Sequence, residues 1–114
     1  MLPSKRRLSR EDDIRALFGG RGARSEYASL KFRKNSRQES RFSFVVPSKN
    51  IKKATLRNLL KRRARAIVWK NLLKIREGYD ILFLFSAKAG ALDYNLLEGE
   101  ILSLFSRAGL AQQR

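Results

Sequence analysis

A chain of 114 residues with 26 Lys and Arg against 10 Asp and Glu carries a net charge of +16, which opposes compaction unless a polyanion offsets it. An apolar share of 43% excludes a disordered tail, and no stretch approaches the ~20 apolar residues of a membrane span. With no cysteine and no histidine, the chain lacks a disulfide framework, a thiolate metal site and the usual general base near neutral pH.

These exclusions leave a cytoplasmic protein, one domain over residues 1–114, that binds nucleic acid. The start, Met1-Leu2-Pro3-Ser4-Lys5-Arg6-Arg7, holds no apolar segment of a secretory signal. The acidic cluster Glu11-Asp12-Asp13 follows Ser9 where a helix begins. Acids there complement the helix dipole, so capping is a better reading than a metal site.

In chain order, Ser9 to Phe18 reads as a short helix with Ser9 as N-cap, Ile14, Leu17 and Phe18 on one face, and Gly19-Gly20 as its stop. Arg21 to Ser25 reads as a basic loop. From Tyr27 to Lys34 apolar and polar residues alternate, with Ala28, Leu30 and Phe32 on one side and Ser29, Lys31 and Arg33 on the other. That is a half-buried strand. Arg41 to Val46 reads as a second strand, pairing back on the first as a hairpin and ended by Pro47.

A long helix is predicted from about Ala54 to Arg76, with Leu56, Leu60, Ala64, Ile67, Val68 and Ile75 along one stripe. Tyr79 to Phe85 is a nearly continuous apolar run, the mark of a central strand. Asp93 can cap a last helix to about Arg107 that buries Leu97, Ile101, Leu104 and Phe105. The order αββαβα predicts an α+β sandwich, helices packed on a small sheet.

The charge is concentrated. Between Ser40 and Arg76 there is no acid, while Lys49, Lys52, Lys53, Arg57, Lys61, Arg62, Arg63, Arg65, Lys70, Lys74 and Arg76 all fall there. A merely solvated helix mixes signs, because Glu–Lys pairs four residues apart add a few tenths of a kcal/mol each. A same-sign face suits phosphate, which guanidinium groups grip with two hydrogen bonds. No second short helix precedes it at helix-turn-helix spacing, so duplex DNA is not the expected ligand. RNA with splayed bases suits a basic helix beside a sheet that carries aromatics, with Phe18, Tyr27, Phe32, Phe42 and Phe44 as stacking candidates.

Arg57-Asn58-x-x-Lys61-Arg62-x-x-Arg65, preceded by Ser48-Lys49 and Lys53-Ala54, resembles the signature of the bacterial ribonuclease P protein family. Met1-Leu2-Pro3, Arg7-Leu8, Arg41-Phe42-Ser43-Phe44-Val45-Val46, Gly78-Tyr79-Asp80-Ile81 and Leu92-Asp93-Tyr94 are similar to further family segments in the same order. The resemblance implies a left-handed βαβ crossover and a protein subunit that assists an RNA catalyst. It implies that Lys49, Lys53, Arg57, Asn58, Lys61, Arg62 and Arg65 meet the ribonuclease P RNA. It further implies that Ile14, Phe18 and Phe32 line a cleft between the first helix, the long helix and the sheet. That cleft takes the 5′ leader of precursor tRNA, and Mg2+ is bound mainly by the RNA subunit and substrate. Leu59 stands where the family pattern has a second arginine, Ile14 replaces an aromatic, and Pro47 and Asn50 depart from the usual run before the helix. A ribosomal or ribosome-assembly RNA binder is the alternative that the charge alone fits equally well. A protein-only nuclease fits less well, for want of histidine and clustered acids.

Overall fold

The structure is a computed structural model that describes residues 2–112, so Met1 of the family-like start lies outside the described residues. Four strands form one sheet: β1 (Arg21–Arg24), β2 (Ala28–Lys34), β3 (Arg41–Val45) and β4 (Tyr79–Phe85). The α-helices are α1 (Glu11–Leu17), α2 (Ala54–Lys70) and α3 (Tyr94–Arg107). The α+β class follows the sequence, and the connectivity corrects it in two places.

The sheet order is β1-β2-β4-β3, so β2 and β3 do not form a hairpin. Instead β4 lies between them, antiparallel to β2 and parallel to β3, and α2 makes the crossover from β3 to β4. The apolar run of β4 explains this, because such a strand needs a neighbour on each edge and cover on both faces. The second correction is β1, expected as loop. Its sequence has no alternating pattern, and backbone pairing to β2 holds it as a charged edge strand.

Strand alternation sorts the side chains into two cores. Ala28, Leu30, Phe42, Phe44, Ile81, Phe83 and Phe85 meet Leu60, Ala64, Ile67 and Val68 of α2 and Leu97, Ile101, Leu104 and Phe105 of α3. The apolar stripes read from the sequence for both helices are therefore the buried faces. The other sheet face holds a smaller cluster, where Leu17 of α1 and Leu8 meet Leu82, with Ile14 and Val45 against them. Before α1, Arg7 bridges to Phe42 and the Leu8 amide donates to the Phe42 carbonyl at 2.7 Å, so this segment runs along the edge of β3.

Helix ends differ from expectation for local reasons. The N-cap of α1 is Arg10, not Ser9, and no side chain caps it. Asp93 does cap α3, its carboxylate accepting from the Leu96 amide at 2.8 Å. The long helix stops at Lys70 rather than Arg76. Asn71 turns its amide onto the Ile67 carbonyl at 2.8 Å and onto Glu98 of α3 at 2.8 Å, and a 3-10 turn at Leu72–Lys74 follows. A side chain that bonds its own helix carbonyls competes with continuation.

Gly22 is where β1 depends on glycine, because a Cβ there would run into the Leu30 carbonyl oxygen. Gly22→Ala is expected to lower stability by about 1–3 kcal/mol through strand displacement. Urea unfolding checks it, with an unchanged midpoint as the contrary result.

Candidate nucleic-acid interface

The sequence places the cations of α2 on one side because Leu60, Ala64, Ile67 and Val68 claim the other for the core. Asn58 and Arg62 are exposed, and Lys61 and Arg65 are half-buried at the border. Lys61 and Arg65 line a cleft of about 200 Å³ with Arg7, Ser9, Phe42 and Ser43 at the edge of β3. Arg62, Arg65 and Ala66 form a second hollow of about 250 Å³ with Arg7. Nothing in the sequence marks Arg7 as a contact. Only the pairing of the N-terminal segment with β3 brings it to α2.

Among the described residues, no ion pair engages Lys49, Lys53, Lys61, Arg62 or Arg65. Most of the acids are engaged elsewhere. Glu77 and Glu39 meet Arg6, Asp13 and Asp80 meet Arg41, Glu98 meets Lys70 and Glu26 meets Lys88. The α2 face therefore projects uncompensated positive charge, an arrangement that attracts a polyanion from a distance.

Arg57 behaves differently from its neighbours. Its Nη1 donates to the carbonyls of Ile51 at 2.9 Å and Lys52 at 2.7 Å, fastening the segment that enters α2. Lys53 is the exposed N-cap residue, and Lys49 sits exposed in the turn after Pro47. The three departures from the family pattern have structural roles. Leu59 lines a small cleft with Leu56, Leu60, Ala89, Gly90 and Leu92, where Arg63 is already the one charged side chain. Asn50 donates its amide to the Phe85 carbonyl at 3.0 Å, and the Pro47 carbonyl accepts the Asn50 and Ile51 amides. Ile14 is partly buried against Leu8, Leu17 and Leu82.

On the face that α1 crosses, Phe18 is 48% exposed. It lines a groove of about 280 Å³ with Gly22, Arg24, Ser29, Lys31 and Leu84. Phe32 is not there. Alternation sends it to the opposite face, edge-on to Tyr79 with ring centroids 5.7 Å apart. The structure thus separates Phe32 from Ile14 and Phe18 and brings in Lys31, which the alternation had already put on the other side from Phe32. Nothing in the local pattern indicates which face α1 covers.

Asp13 of α1 lies 3.7 Å from Arg33 and 3.8 Å from Arg41, so the helix is tied across the sheet by charge as well as by Leu17. Arg41 in turn makes two bonds to the buried Asp80, at 2.9 and 2.7 Å, and Asn35 adds a third at 2.9 Å. Burial alone would push the Asp80 carboxyl up. The hydrogen bonds from Arg41 and Asn35 outweigh it and hold the group below the ordinary carboxylate range.

An α+β sheet with an uncompensated basic helix and a groove of aromatic and cationic residues defines a nucleic-acid-binding protein. The profile of the ribonuclease P family matches residues 2–109. The chain is similar to the ribonuclease P protein component of Synechocystis, 31% identical over 112 residues that cover 96% of this chain and 90% of that one. It also resembles the solved RNase P protein of Thermotoga maritima, with a TM-score of 0.82 and 34% identity, over 89% of this chain and 98% of the other. The RNase P protein of Staphylococcus aureus shares the fold at a TM-score of 0.85 and 17% identity, over 94% of this chain and 98% of that one. This chain belongs to the ribonuclease P protein family. The family sets aside the ribosomal alternative, which charge alone could not.

Proposed function

We propose that the α2 face binds the ribonuclease P RNA in the cytoplasm, and that the Phe18 groove holds the 5′ leader of precursor tRNA. The observation that carries this reading is the set of cations on α2 without acidic partners. Arg7, Lys61, Arg62 and Arg65 meet phosphates of the RNA, with Asn58 free to reach a base or ribose. Arg57 shapes the entry to the helix, leaving Lys49, Lys52 and Lys53 as exposed charges before it. In the groove, Phe18 offers a ring to a leader base while Arg24 and Lys31 lie beside its phosphates.

Hydrolysis then belongs to the RNA, and the protein contributes by placing cations where two polyanions approach each other. Among the described residues no group of three or more acidic side chains can hold a metal ion. Glu11 is drawn to Arg15 at 2.6 Å, and Asp13 is turned toward Arg33 and Arg41. In this proposal magnesium is bound mainly by the RNA and the substrate. No helix among the described residues is long and apolar enough to cross a membrane.

Phe18→Ala tests the groove. Loss of one stacking contact is expected to weaken binding of precursor tRNA by the assembled enzyme between about fivefold and a hundredfold, and to leave mature tRNA unaffected. Equal losses for the two would show that Phe18 has a structural role instead.

A further inference from the structure

Trp69 is the chain's one tryptophan, and it stands on the basic face of α2 with 43% of its surface exposed. Helical periodicity places Asn58, Arg62, Arg65 and Trp69 within a sector of about 60°. Leu60, Ala64, Ile67 and Val68 are buried on the other side of the same helix. Trp69 belongs to neither hydrophobic core. An indole left in water forgoes the burial that normally justifies so large an apolar side chain.

Its neighbours indicate what would cover it. Arg65 and Ala66 precede Trp69 by one turn, about 6 Å along the axis for Arg65. Together with Arg7 and Arg62 they line a hollow one turn before it, where Ala66 is a short, exposed side chain. A guanidinium-lined hollow suits a phosphate, and a ring one turn away suits a base of the same strand. A second copy of the chain fits poorly, since it would bring its own +16 charge to the most basic surface of the first.

We propose that Trp69 is a base-stacking residue, on which an unpaired nucleobase of the ribonuclease P RNA rests while Arg62 and Arg65 hold adjacent phosphates. The base is unpaired because a paired, stacked one has no free face to offer. This rests on the reading that the α2 face meets that RNA, and it adds a contact to base that is independent of charge.

The test uses the full chain and its cognate ribonuclease P RNA. Emission from the one tryptophan is followed during titration, and affinity is measured over a range of salt for Trp69→Ala, Trp69→Leu and Trp69→Phe. The RNA is expected to quench the emission. Trp69→Ala and Trp69→Leu should bind between about fivefold and a hundredfold more weakly, with unchanged salt slope, while Trp69→Phe keeps most of the affinity. Thermal melts of all three should stay near the wild type, because the indole is outside both cores.

An unquenched complex whose affinity does not change in Trp69→Ala overturns the stacking role alone, provided that Arg62→Ala still weakens binding. An affinity indifferent to Arg62 and Arg65 overturns the basic face, and the stacking with it. Emission that shifts with protein concentration in the absence of RNA would instead identify a contact between copies.

Discussion

Arg41→Ala is expected to remove about 3–5 kcal/mol of folding stability, the usual cost of leaving one member of a buried ion pair alone. The Arg41 side chain is 13% exposed and Asp80 only 1%, so water cannot replace the lost partner easily. Asn35 would remain as a single donor to a carboxylate that now accepts three hydrogen bonds. At roughly 4–8 °C per kcal/mol, the melting temperature should fall by more than ~12 °C. The pair sits at the register Arg33, Asp80 and Arg41 across β2, β4 and β3, where Asp13 also ties down α1. Losing it should therefore loosen the groove at Phe18 as well as the sheet.

The pH dependence follows from the direction of the Asp80 shift. Its carboxyl is held low in the folded protein, so the stability it contributes is present above the unfolded carboxylate range. That stability is lost as pH falls through the lowered folded value. In Arg41→Ala the carboxyl loses its main partner and takes up a proton at higher pH, which makes its burial cheaper. The difference between variant and wild type should accordingly narrow on acidification. Urea midpoints at neutral pH and near pH 4 check this, and a constant difference would contradict it.

The second large effect is expected for Arg62→Ala combined with Arg65→Ala. A hydrogen bond to a charged group is worth about 1.5–3 kcal/mol, so two lost phosphate contacts should weaken RNA binding by a hundredfold or more. Each contact also contributes about 0.7–0.9 to the salt slope, which should drop by roughly 1.4–1.8. Lys88→Ala provides the contrast. Lys88 is paired with Glu26 at 3.0 Å and releases fewer counterions on binding, so its loss should change the slope little. Affinities over a salt series decide the matter. Equal slopes for the double variant and the wild type would move the RNA to another surface.

Much of this was legible in the sequence because it depended on local pattern. The α2 stripe, the α3 stripe and its Asp93 cap, and the central apolar strand all follow from periodicity and capping chemistry. What failed depended on distant partners. Nothing between Tyr27 and Val46 reveals that Tyr79–Phe85 will insert between the two strands, since the deciding residues lie more than thirty positions on. The strand at Arg21–Arg24 is held by backbone bonds that leave no side-chain pattern. Phe32 parts from Ile14 and Phe18 for the same reason. The alternation was correct, but only the completed sheet shows that α1 covers the side of Lys31 and Leu82. Arg7 joined α2 through a bridge to Phe42, again a contact between segments far apart in the chain.

Cleavage of a precursor tRNA by the cognate ribonuclease P RNA at low magnesium, with and without this protein, tests the assignment most directly. Correct 5′ processing that requires both components, and that fails with the Arg62→Ala and Arg65→Ala double variant, is the expected result. Tight binding of the protein to the RNA with cleavage unchanged by its presence would contradict it.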